Sequence, residues 1–299
     1  LTIGAIYALV ALGYTLVYGV LRLINFAHSE VFMIGTFGAL FATQWMGIGS
    51  TDSPHGTLAA LGLLAAAGVV AMAASGGAAV LLELVAYRPL RRRGATRLAA
   101  LISAVGASYF LQELFANWRG RNFEAFPRVL AKNEVFRLFG APVRTDMLLI
   151  VGGAVVMMVV LDRFVSLTKM GRGIRAVAQD PETASLMGVD IDRVVAATFL
   201  LGGIMAGGAG LLYVVFFENT RYSIGFVLGI KAFTAAVLGG IGNVRGALVG
   251  GLLIGVMENY GAAVFGSQWK DVISFTLLVV ILMLRPTGLL GEALGKARV

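Results

Sequence analysis

No cysteine occurs among the 299 residues, which excludes disulfides, thiolate metal sites and cysteine nucleophiles. Histidine is almost as scarce, with two in the whole chain. Neither H-E-x-x-H nor G-x-S-x-G is present, so hydrolase and intramembrane protease readings lack their metal set or their nucleophile. No catalytic residue and no metal ligand set is therefore expected, and an enzyme is the weakest reading. A phosphate-cradling G-x-x-x-x-G-K-[ST] is also missing, so no nucleotide or other cofactor is expected on this chain. Any uphill work must then draw on an ion gradient or on another subunit. Charge is thin as well, at 13%.

What fills the sequence instead is apolar: 58% hydrophobic residues and a positive mean hydropathy, outside the range of soluble domains. Backbone groups in a bilayer must be satisfied within each segment, and the long apolar runs show no strand-like alternation. The fold class expected is all-α, a polytopic transmembrane helix bundle forming one domain over residues 1–299. Forty glycines suggest helices in close contact. The net charge of +8 could point to nucleic acid, but the basic residues lie between apolar runs, where they set orientation and meet anionic headgroups. Leu1 already lies in an apolar run with no basic stretch ahead, so no signal peptide is expected and the natural start is expected upstream.

Apolar segments are read at 1–21, 31–48, 57–82, 98–115, 147–161, 194–217, 223–238, 247–264 and 272–284. That gives eight to nine membrane segments, of which one or two short ones are expected to be re-entrant or broken. Residues 22–30 read as a tight polar connector, and 87–97, with five arginines and a proline, as chain out in water. If the loop at 171–192 faces the cytoplasm, the inner segments hold 15 of the 24 basic residues, and six of the others belong to the single long outer loop at 117–146. The positive-inside rule then holds, and Trp45, Trp118 and Trp269 fall together at the outer boundary.

Two kinds of residue stand out. Within 171–192, Asp180 is placed to cap a helix, Pro181 suits its first position and Gly188 can take the left-handed conformation that ends it. The helix left between, residues 182–187, is too short to persist alone, and it would display Leu186 and Met187. A docking element and an ordinary ordered loop are equally good readings of this stretch taken alone. The second kind is the ionisable residue inside an apolar segment, a functional candidate by default. Lys231 and Glu258 could pair with each other or meet a zwitterion, with the structural pair or a snorkelling lysine favoured. Asn25, His28 and Glu30 could line a pathway; capping is the better reading for Asn25, and a solvated hairpin tip is an equal one for His28 and Glu30. Gly203 with Gly207, and Gly246 with Gly250, repeat at four residues and read as helix contact faces.

The segment ETASLMG, Glu182 to Gly188, resembles the EAA loop of ABC importer permeases, with Thr183 at the middle alanine position. INFAHSEVFMIGTF from Ile24, GIKAFTAAVLGGIGNVRGALVGGLLIG from Gly229 and RPTGLLG from Arg285 are similar to the LivH-type permease subunit of branched-chain amino acid ABC importers, and the similarity runs through nearly the whole chain. This resemblance implies a bacterial or archaeal inner-membrane permease working with a second, LivM-type permease, two cytoplasmic ATPase subunits that hydrolyse the ATP, and an extracytoplasmic substrate-binding protein. It places Glu182, Ala184 and Gly188 on the motif that docks the ATPase, with Asp180 and Pro181 as its cap. Related permeases handle urea or short amides. A gradient-driven secondary transporter or channel is the rival from another class.

Overall fold

The computed structural model describes residues 1–49, 54–138 and 140–291. The helices are α1 (Thr2–Leu21), α2 (His28–Trp45), α3 (Thr57–Leu82), α4 (Arg88–Arg92), α5 (Arg97–Arg119), α6 (Thr145–Leu167), α7 (Lys169–Gln179), α8 (Pro181–Leu186), α9 (Ile191–Phe217), α10 (Ile224–Gly239), α11 (Val244–Phe265) and α12 (Lys270–Leu284), of which all but α4, α7 and α8 follow the apolar runs. Short strands β1 (Glu124–Ala125), β2 (Glu134–Leu138), β3 (Ala141–Arg144) and β4 (Asn219–Thr220) complete it. Seven helices among the described residues are long and apolar enough to cross a membrane, counting α3 through α4 as one; α2 has 18 residues and α10 has 16.

The helices α1 and α9 form the axis. Both are apolar on every side and buried on every side over most of their length, as expected for helices enclosed by others. Around them stand α2, α3, α10 and α11, while α5, α6 and α12 turn large apolar side chains such as Ile102, Val156 and Val279 outward. Glycines make the close contacts. A methyl group at Gly207 would lie 2.5 Å from the Ala71 carbonyl oxygen of α3, and one at Gly203 would lie 2.7 Å from that of Ser75. The same holds for Gly246 and Gly250 of α11, against the carbonyls of Gly239 and Ala235 in α10.

At one end of the bundle, residues 120–144 fold back over the helices. There β1 pairs antiparallel with β4, β2 pairs with β3, and Phe126, Val129 and Leu130 pack among Phe37, Leu64, Phe115 and Val215. Glu218 follows α9 in the left-handed conformation, and Arg128 (2.9 Å) and Lys132 (2.7 Å) bind its carboxylate. Those two cations hold its carboxyl below the usual carboxylate range. The opposite end carries α4, α7 and α8.

Several boundaries differ from the sequence reading. Residues 87–97 do not leave the bundle at once: a π-turn at Glu83–Tyr87 and then α4 continue α3, and Tyr87 is buried. The fifth segment is a full helix of 23 residues, because Thr145, Asp146 and the polar end beyond Leu161 join the helix. An 11-residue amphipathic helix, α7, starts just before the passage at 171–192 and precedes the short one. The second segment opens at His28 rather than Val31, so its first polar residues lie inside the helix. Lys296 and Arg298, counted among the inner basic residues, lie outside the described residues.

Candidate coupling element and buried polar sites

Local chemistry writes the short helix. The Asp180 carboxylate accepts from the backbone N–H of Glu182 (3.0 Å) and Thr183 (3.3 Å) and from the Thr183 hydroxyl. The Thr183 hydroxyl, with these backbone donors, holds the Asp180 carboxyl below its ordinary range. Pro181 starts α8 where no donor is needed, and Gly188, at φ +84°, ends it. The Val189 N–H then returns to the Ala184 carbonyl at 3.0 Å. Of the residues in α8 only Ala184 is buried; Leu186 and Met187 are 88% and 80% exposed.

The base beneath it is firmly tied. Thr168 caps α7, whose Gly171, Ile174 and Val177 face inward at helical spacing. At Gly171 the α6 carbonyls of Phe164 and Val165 leave no room for a side chain. Arg22, just past α1, donates to the Ala178 carbonyl at 3.1 Å. After α8, the Asp190 side chain caps α9 by accepting from Arg193 N–H, and Asp192 binds Arg91 and Arg92 of α4 at 2.5 and 2.7 Å. Arg91 also reaches the fully buried Glu83, which Arg88 holds at 2.8 Å. The helices on either side of α8 are thus tied by hydrogen-bonded charges, α7 to the residue after α1 and α9 to the α3–α4 junction.

The buried candidates separate into two groups. Asn25 is no helix cap: α2 starts after Ala27 without a side-chain cap, and the Asn25 side-chain oxygen accepts from the Tyr87 hydroxyl at 2.7 Å. His28 and Glu30 are not at a solvated tip either, since both are buried within the first turn of α2. His28 meets the Tyr14 ring edge-on at 4.8 Å, and its Nε2 has no hydrogen-bond partner among the described residues. One Glu30 oxygen accepts from Ser29 (3.2 Å), Ser108 (3.1 Å) and Gln112 (2.9 Å), which ties α5 to α2. Its other oxygen has no partner among the described residues.

Lys231 and Glu258 do meet, at 2.8 Å. Asp271 at the start of α12 binds the same ammonium at 2.7 Å, and the Tyr7 hydroxyl donates to the other Glu258 oxygen at 3.0 Å. The lysine is thus an ion-paired junction of α10, α11 and α12. Glu83, Tyr87, Ser108 and Asp271 escaped the sequence reading. Only Asp271 had a legible signal, an acid opening an apolar helix. Among the described residues no three His, Asp or Glu side chains converge as a metal site would require.

Comparison with known proteins gives a consistent picture. Residues 1–282 match the sequence model of the family described as branched-chain amino acid transport system / permease component. The chain is 43% identical over 296 residues to the high-affinity branched-chain amino acid transport system permease protein BraD of Pseudomonas aeruginosa, covering 98% of this chain and 94% of that protein. It is 42% identical over 297 residues to the corresponding protein LivH of Escherichia coli, covering 97% and 93%. A probable LivH of Methanocaldococcus jannaschii is 28% identical over 296 residues, covering 95% of this chain and 88% of that protein. No solved structure matches.

Proposed function

The chain belongs to the family of branched-chain amino acid transport permease components, and from that premise we propose that it is the membrane-spanning subunit of an ABC importer for branched-chain amino acids. In this reading the α8 end faces the cytoplasm of a bacterial or archaeal cell, residues 120–144 face outward, and the pathway runs between this chain and a second, LivM-type permease. Two ATPase subunits dock at α8, and a substrate-binding protein delivers the solute to the other side.

The observation that carries the coupling role is the exposure of Leu186 and Met187 on a capped helix whose base is tied to the bundle. A six-residue helix is too short to hold itself together in water. Its caps and Ala184 preserve its shape, while its two largest apolar side chains are left for a partner. Force applied there passes through Asp192 to Arg91, Arg92 and Glu83, and through Ala178 to Arg22. Asn25, His28, Glu30, Lys231 and Glu258 are the polar groups within the bundle that could serve the pathway. For Lys231 and Glu258, the ion pair gives a structural role its support.

The test is Gly188→Arg, which forces a side chain onto a left-handed residue, together with deletion of residues 182–187. Each is expected to abolish amino acid uptake and to remove the ATPase from the purified complex while the permease still reaches the membrane. Retention of the ATPase at the wild-type level by both variants would sink the docking role. A gradient-driven transporter would instead move solute with the purified chain alone in vesicles, where the importer reading expects none.

A further inference from the structure

A cavity of about 220 Å³ lies where the ends of α1, α4 and α5 meet, and it shares Arg91 with the route from α8. It is far larger than the roughly 10–15 Å³ that a single water needs. Its walls are of two kinds. Leu21, Leu23, Leu90, Ala95 and Ala100 are apolar lining residues, and Tyr87, Arg91 and Arg97 complete the lining.

Arg91 gives its Nη2 to Glu83 and Asp192, but its buried Nη1 has no hydrogen-bond partner among the described residues. Arg97 is exposed, with no ion pair among the described residues. It also opens α5, where the Thr96 side chain takes the Ala99 N–H and the positive end of the helix dipole adds to the field. Of the five arginines between residues 88 and 97, Arg88, Arg91 and Arg92 bind Glu83 and Asp192, and Arg93 and Arg97 have no ion pair among the described residues. The site is therefore built for an anion that also carries an apolar portion.

We propose that this cavity binds an anionic phospholipid of the leaflet at the α8 end, its phosphate on Arg91 and Arg97 and its glycerol and upper acyl region against the leucines. Three features favour lipid. The cavity lies where the apolar segments give way to arginines, the level at which phosphates sit. Leu21, Leu23 and Leu90 give the glycerol and first acyl carbons an apolar lining. A zwitterionic amino acid would set its ammonium among arginines with no free carboxylate to receive it. The bound lipid would lie beside the Arg91–Asp192 contact and hold Arg91 in place for it. This inference rests on the membrane reading of the chain and not on the identity of the solute.

The experiment takes the whole complex in detergent with either phosphatidylglycerol or phosphatidylcholine added, and counts retained lipids by native mass spectrometry. The readout needs no transport, so its outcome is separable from that of the coupling test. Wild type is expected to retain phosphatidylglycerol at least fivefold over phosphatidylcholine. Arg97→Gln, and independently Ala95→Glu at the exposed rim, are expected to lose that preference, and Arg193→Gln, away from the cavity, to keep it. Equal retention of the two lipids by wild type, or an unchanged preference in both cavity variants, would overturn the proposal. So would displacement of phosphatidylglycerol by free leucine, which would give the cavity to a solute carboxylate.

Discussion

At one end of the bundle, residues 120–144 carry Phe126, Val129 and Leu130 into the seam between α2, α3 and α9; at the other, α8 holds Leu186 and Met187 almost wholly in the open. Both segments are polar passages between apolar helices, and both are ordered by side chains that accept backbone or cationic hydrogen bonds. The cover at 120–144 is satisfied by its own chain only in part: Phe126, Val129 and Leu130 are buried and Glu218 has its two cations, while Phe123, Val135 and Phe136 stay exposed. At the α8 end Asp180, Asp190 and Asp192 have their hydrogen-bond partners, but Leu186 and Met187 have no cover. Burying a leucine or methionine side chain contributes about 1.5–3 kcal/mol, so the exposed pair leaves a sizeable association energy for a partner. The contrast separates a surface that helps close the bundle from one that, under the proposed coupling role, is left for the ATPase.

That contrast can be broken most directly at α8. Leu186→Asp combined with Met187→Asp is expected to lower ATPase retention and uptake at least tenfold with no change in the thermal midpoint of the permease, because neither side chain packs on its own chain. A fall in that midpoint would mean that the pair supports the fold. Phe126→Ala should behave the opposite way, destabilising the permease by about 3 kcal/mol in a denaturation series while the ATPase stays bound. The smallest effect is expected at Glu218. Its carboxyl is held below the ordinary range, so its contribution is complete above the unfolded value near 4.3 and is lost as pH falls through the depressed folded value. Glu218→Gln should therefore lower the melting midpoint at pH 7 by no more than about 2 °C, and its gap from wild type should narrow as the pH falls below the unfolded value near 4.3. A gap that widens in acid would show that the Glu218 contacts with Arg128 and Lys132 are not its source.

Much of this was legible because it is local. The order Asp180, Pro181, Gly188 carries the cap, the first turn and the stop of α8 within nine residues, and Gly203 with Gly207 marks a contact face without reference to the partner helix. Lys231 and Glu258 could be paired because two opposite charges in apolar segments are costly apart. The α7 helix was hidden, since Ile174 and Val177 are few among arginines and their inward face needs α6 and α9 to define it. Arginines at 88–92 read as chain in water, yet Glu83 draws Arg88 and Arg91 back and the helix continues through a π-turn. Asn25 read as a cap because the hydroxyl it receives lies 62 residues away, on Tyr87.

By itself the sequence determined that the chain lives in a bilayer, roughly where it crosses, and which short stretch is a capped helix. Each of these follows from transfer free energy or backbone geometry over a few consecutive residues. The tertiary structure decided which buried charges meet, which apolar side chains find cover and where a cavity remains between helix ends. Those outcomes depend on packing between segments far apart in the chain: Asp271 completes the Lys231 junction, and Arg91 is shared between Glu83 and Asp192, only once the helices have come together.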